Sequence, residues 1–170
     1  MNFELSETTS PKVRTFYALS LPQHRILLDF YTSLPEEQYD ACLVDTPQRK
    51  ADTPRQSLAH ILYVQLVYLR ALQTGKLEFK SMGTEGYEKL PKERLLAAWE
   101  RTDQEMLDFL TAPSFDSERT VEVPWGGRMN GIDLLFFLRD HEILHIGWNL
   151  AVMDYLDLPR YPSLIQYWGP

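Results

Sequence analysis

The amino-acid sequence predicts an all-α protein, a four-helix bundle with a short two-stranded β-ribbon ahead of its last helix, forming one domain over residues 1–170. Three observations carry this reading. Apolar residues recur at helical spacing in four separate stretches. Two of those stretches open on strong start signals, Ser10-Pro11 and Thr53-Pro54-Arg55-Gln56. The last, Met129 to Asp157, offers about seven turns with no internal proline.

The first helix starts at Ser10-Pro11, where serine can cap and proline is tolerated at the first helical position. Val13, Phe16, Tyr17, Ile26, Leu27, Phe30 and Tyr31 keep the helical stripe, and Pro22 predicts a kink or a break. Thr53-Pro54-Arg55-Gln56 combines a capping threonine, a proline and a glutamine three residues after the cap, so a second helix begins there and reads to about Gln73, before Gly75. It is apolar nearly all round, which suits the middle of a bundle. A loop follows that contains Met82-Gly83-Thr84-Glu85-Gly86, and Pro91 opens a third helix to about Thr111. Thr120-Val121-Glu122-Val123 alternates and then turns on Gly126-Gly127, the pattern of a short ribbon. The fourth helix is expected to take Asn130 as its cap and Asp133 in its first turn. The tail ending Tyr167-Trp168 is expected to bury its aromatic rings.

Composition narrows the function. A net charge of -7 argues against nucleic acid or an anionic membrane as partner, since both need a positive surface. A small molecule or another protein fits better. The single cysteine, Cys42, cannot form an internal disulfide, and no run approaches the roughly 18 apolar residues of a membrane span. Met1 to Ser10 carries Glu4 and Glu7 and lacks the apolar core of a signal peptide. A cytoplasmic protein is the expectation.

The chemistry concentrates at Asp140-His141-Glu142-Ile143-Leu144-His145-Ile146-Gly147. Residues four apart on a helix stand one turn above each other, so His141 and His145 project from one face and can grip one metal ion. At about 100° per residue that face also carries Leu134, Phe137, Leu138, Trp148 and Val152, so the imidazoles are expected to point into the protein. Ile132, Leu135, Phe136, Ile143, Ile146 and Leu150 form a second apolar stripe behind them. His60 lies on the second helix, near Ser57 and Val64, and helices facing each other in a bundle let it meet the other two. Three neutral imidazoles bind Zn²⁺, Ni²⁺ or Fe²⁺ and leave positions open for substrate. A lone His60 on an apolar face is more often a hydrogen-bonded core residue than a ligand, and the pairing of His141 and His145 on one face shifts the weighting toward a metal. His24, after Pro22, reads as surface or core filler.

His141-Glu142-Ile143-Leu144-His145 also fits the H-E-x-x-H pattern of zinc proteases, with Glu142 as the catalytic carboxylate. The extended protease pattern does not follow it, and no glutamate comes after Glu142.

Taken in order, Leu34-Pro35-Glu36-Glu37-Gln38, Ser57-Leu58-Ala59-His60-Ile61, Gly127 and His141-Glu142-Ile143-Leu144-His145-Ile146-Gly147 resemble the DinB superfamily of DinB/YfiT-like proteins. That resemblance implies a four-helix bundle whose divalent metal is held by one histidine of the second helix and two of the fourth, here His60, His141 and His145. It implies relatives that are thiol-dependent transferases and isomerases using a low-molecular-weight thiol (bacillithiol, mycothiol or glutathione) as co-substrate, many of them homodimers. Trp148 and Asn149 stand where many such relatives carry a glutamine-containing stretch. The expected function is therefore a divalent-metal-dependent enzyme acting on a small molecule, a thiol S-transferase or a hydrolase. A non-catalytic ligand-binding or dimerisation protein with a structural metal is the alternative, and a zinc protease stands behind both.

Overall fold

The computed structural model describes residues 5, 9–79 and 86–169, so the loop expected at Met82 to Glu85 and most of the first ten residues lie outside the described part. Four long helices make the body: α1 (Pro11–Ser33), α2 (Pro54–Thr74), α3 (Lys92–Thr111) and α4 (Gly131–Tyr155). A ribbon of β1 (Thr120–Glu122) and β2 (Arg128–Asn130) precedes α4, and a short α5 (Pro162–Trp168) closes the described chain.

α2 begins as its sequence requires. Thr53 accepts from the Gln56 backbone N–H while the Gln56 side chain accepts from the Thr53 N–H, a reciprocal cap. Gly75, with φ of 84°, ends the helix in the left-handed region, where a residue without Cβ is favoured. The Arg55 fork is tied to Asp40 and Glu36 and donates to the Leu90 carbonyl, which anchors the first turn to the neighbouring connectors.

Three expectations need correction. Of the kink or break expected at Pro22, the break does not occur: α1 is one helix from Pro11 to Ser33. The proline removes one N–H from the ladder, and both halves of the helix are anchored, by Val13, Phe16 and Tyr17 on one side and Ile26, Leu27 and Phe30 on the other. Asn130 is the residue before α4 but its side chain does not cap; its Nδ2 lies 3.4 Å from Glu118 Oε2. In the tail, Ser163 and Leu164 are buried, whereas Tyr167 and Trp168 are exposed. A helix this short presents only one narrow face to α1 and leaves the other rings in solvent.

The apolar core falls into two lobes. One gathers the N-terminal half of α1, the C-terminal halves of α2 and α3, the ribbon, and the N-terminal half of α4. The other gathers the opposite halves together with Leu34, Tyr39 and Leu164. Membership of the lobes fixes direction: α1 and α4 run one way, α2 and α3 the other, so the bundle is up-down-down-up with a crossover between α2 and α3. β1 pairs antiparallel with β2, Val121 opposite Met129, and β1 also bonds the chain leaving α2 through Leu77 N to Glu122 O at 2.8 Å. The ribbon thus closes one end of the bundle.

Between the two lobes all four long helices contribute polar side chains, among them His24, Gln65, Asp103 and Glu142. Glu142 and Gln65 are 5% and 4% exposed, values that demand partners for every polar atom.

Candidate metal centre

α2 and α4 run antiparallel side by side, which brings Ser57 and His60 of one against His145 and His141 of the other. His60 Nε2 lies 3.1 Å from His141 Nε2, and His145 Nε2 lies 3.2 Å from His141 Nε2. Among the described residues these three make the group of potential metal ligands whose donor atoms all fall within 4.8 Å of one another.

Their protonation suits the task. Burial pushes His141 down to about 4, helped by the neighbouring His60 and opposed by Glu142. Burial likewise pushes His145 down to about 3, with His141 and His60 adding to it, and His60 is lowered mainly by burial. All three are neutral at physiological pH, the state in which an imidazole nitrogen can ligate.

His145 is also oriented from behind. Its Nδ1 lies 2.8 Å from Ser57 Oγ, Tyr31 O–H donates to Ser57 Oγ at 3.0 Å, and Asn149 Oδ1 lies 3.3 Å from the same phenol. With Nδ1–H given to Ser57, the Nε2 of His145 presents a lone pair toward the other two rings. Three nitrogens facing one another can be satisfied by at most a few shared protons, and a cation satisfies all of them. Two ligand nitrogens about 2.0–2.1 Å from a tetrahedral ion are about 3.3 Å apart, close to the 3.1 and 3.2 Å found here. The residues therefore fit a divalent ion.

The histidines do not sit at the centre of α4's buried arc, as their apolar neighbours in the sequence suggested. Leu138, Glu142 and Asn149 occupy the middle of that arc, the two histidines its shoulder, and His60 is exposed. The site consequently opens to solvent. One turn before His141, Phe137 is 49% exposed and stacks on Trp125 of the ribbon turn, ring centres 5.8 Å apart and 15° from parallel. Gly126 and Gly127, both at positive φ, let the ribbon turn tightly behind Trp125.

Glu142, expected to act beside the metal, directs its carboxylate elsewhere: Gln65 Nε2 donates to Oε1 at 2.9 Å, and His24 Nδ1 lies 3.4 Å from the same oxygen. The other His24 nitrogen, Nε2, lies 2.8 Å from Asp103 Oδ2, and the Asp103 carboxyl also accepts from Trp99 Nε1–H. Burial alone would lower the His24 pKa, but Asp103 and Glu142 outweigh it and hold His24 well above its ordinary value, as an imidazolium. His24 is thus neither surface nor filler. Its partners come from α3 and α4, so nothing local in the sequence announced them. Cys42 stays apart from the histidines, its thiol on the Val44 and Ala51 carbonyls.

The fold and the site together make a helical bundle with one histidine from α2 and two from α4 at a common point. The family model of the DinB superfamily matches residues 23–148, and the chain belongs to that superfamily. No curated protein matches it. Among solved structures it is similar to the DinB-like protein YjoA from Bacillus subtilis, with a TM-score of 0.55 and 15% identity, covering 87% of this chain and 95% of that one. At that identity the likeness speaks for the fold. None of the helices described is long and apolar enough to cross a membrane.

Proposed function

We propose that the protein is a divalent-metal-dependent enzyme that transfers a low-molecular-weight thiol to, or hydrolyses, a small apolar-substituted substrate. The convergence of three neutral imidazoles at a solvent-open point supports this reading most. A structural zinc site is usually closed by a fourth protein ligand, whereas a catalytic one keeps a position free. A bound divalent ion would make a thiol or water at the open position acidic enough to react near neutral pH. His60, His141 and His145 hold it, Ser57 fixes the ring of His145, and the Trp125–Phe137 stack offers an apolar platform at the rim.

Glu142 enters the proposal as a positioning residue that ties α4 to Gln65 and His24. That orientation gives no support to a zinc-protease role. A homodimer is part of the proposal, supported by the exposed Tyr155, Ile165, Tyr167 and Trp168 near the α4–α5 end.

The test is metal content of protein purified without a nickel column, followed by thiol-transfer assays with glutathione, mycothiol and bacillithiol before and after chelation. Stoichiometric metal that His60→Ala removes, with activity lost on chelation and restored by metal, is the expected result. Unchanged metal content in His60→Ala would overturn the reading. Metal present without turnover, and loss of folding on chelation, would favour the structural role instead.

A further inference from the structure

The polar layer between the two core lobes lines a cavity of about 60 Å³, whose walls include Phe16, Ser20, Gln65, Asp103, Leu138 and Glu142. A buried polar layer often serves only to fix helix register, and then its atoms satisfy one another. Here they do not. Ser20 is 7% and Gln65 4% exposed, yet neither Ser20 Oγ nor Gln65 Oε1 has a hydrogen-bond partner among the described residues. Gln65 has already given its Nε2 to Glu142, and Thr102 gives its hydroxyl to the Ala98 carbonyl. What faces the cavity unused is therefore mainly acceptor.

The charges point the same way. Asp103 and Glu142 flank the single His24 ring, one carboxyl oxygen 2.8 Å from Nε2 and the other 3.4 Å from Nδ1, so acidic side chains outnumber the imidazole between them. Arg139 also borders the cavity, but its guanidinium is paired with Asp140 at 2.7 Å and lies over the Phe136 ring. Anions and carbonyl ligands would meet acceptors. A metal ion is disfavoured too, because His24, Asp103 and Glu142 are not among the residues whose donor atoms cluster at one point.

We propose that this cavity is a second small-molecule site, distinct from the three-histidine centre, and that it takes a short primary alkylammonium ion. The three N–H bonds of the ammonium group match Ser20 Oγ, Gln65 Oε1 and a Glu142 carboxylate oxygen. Its alkyl end lies against Phe16, Leu21, Met106 and Leu138, which line the same space. The cavity is several times the roughly 10–15 Å³ that one water needs on the same measure, which admits an ammonium and one or two carbons.

Titration of the full chain with ethylammonium chloride, followed by calorimetry or ligand-observed NMR, tests this, with ethanol as the neutral counterpart and potassium chloride at matched ionic strength. Saturable binding of ethylammonium and none of ethanol is expected, with affinity falling about tenfold in Ser20→Ala and lost in Glu142→Gln. Ser20→Ala removes a hydroxyl that makes no bond in the folded protein, so its fold is retained and the result is readable even if Glu142→Gln is destabilised. His60→Ala should leave ethylammonium binding intact. No saturation, equal affinity for ethanol, displacement by potassium, retention of full affinity in Ser20→Ala, or loss of binding in His60→Ala would each overturn the proposal.

Discussion

His141 and Glu142 are neighbours in the chain and face different environments: His141 Nε2 lies 3.1 Å from His60 Nε2, while Glu142 Oε1 accepts from Gln65 2.9 Å away. One residue's step around a helix, about 100°, separates the three-histidine cluster from the polar layer. Mutations at the two positions should accordingly read out differently.

At Glu142 the readout is stability. Glu142→Ala leaves the His24 imidazolium short of one carboxylate and the Gln65 amide without its acceptor, and breaking a buried pair costs about 3–5 kcal/mol. Glu142→Gln keeps one acceptor and should lose less. Urea unfolding of the metal-free protein gives both values, and equal stabilities for wild type and Glu142→Ala would contradict the network.

Behind the histidine cluster, Ser57 is expected to matter more for metal affinity than for folding. Ser57→Ala takes away the acceptor of His145 Nδ1–H, and loss of such a partner typically weakens metal binding about 10–100-fold. A chelator competition titration measures it. Affinity equal to wild type would mean that the ring is held by packing alone.

The histidine pKa values set a pH window. In the unfolded chain these groups titrate near 6.5, whereas folding holds His141 at about 4 and His145 at about 3, chiefly by burial. Between those values the unfolded state binds more protons, so metal-free protein should lose stability as pH falls below about 6.5. For the same reason protons compete poorly for the folded ligands, and metal should stay bound below the pH at which ordinary histidines release it. Thermal unfolding and equilibrium dialysis across the acid range check the two halves of this prediction.

His24 behaves in the opposite sense. Its folded pKa lies well above the ordinary value, because the two carboxylates overcome the effect of burial. Its contribution is complete below about 6.5 and disappears as pH rises through the elevated folded value. His24→Gln should remove that alkaline slope in unfolding free energy; a slope unchanged by the substitution would place its origin elsewhere.

The three candidate ligands were legible because their signals are local. His141 and His145 obey the one-turn spacing, and the Thr53–Gln56 cap sets the phase of the helix carrying His60. The four-helix fold was legible from periodicity, and the ribbon from Gly126-Gly127. What escaped was non-local. Pro22 marks a break by local rules, yet packing on both sides carries α1 through it. His24 draws its meaning from Asp103 and Glu142 on two other helices, which no spacing within one segment encodes. The expectation that Tyr167 and Trp168 are buried counted their apolar area without asking whether a helix as short as α5 has a face to spare for them.

The reciprocal bonds between Thr53 and Gln56 have a reach beyond helix stability. Ser57 and His60 follow within two turns, about 10 Å along the axis from Thr53 to His60, so the angular setting of the first turn decides where both side chains point. A one-residue slip at that start would swing His60 away from α4 and withdraw the hydroxyl from His145 together. The helix origin acts as the alignment mark of the three-histidine cluster, and damage there would be felt as misaimed side chains while the scaffold still stands.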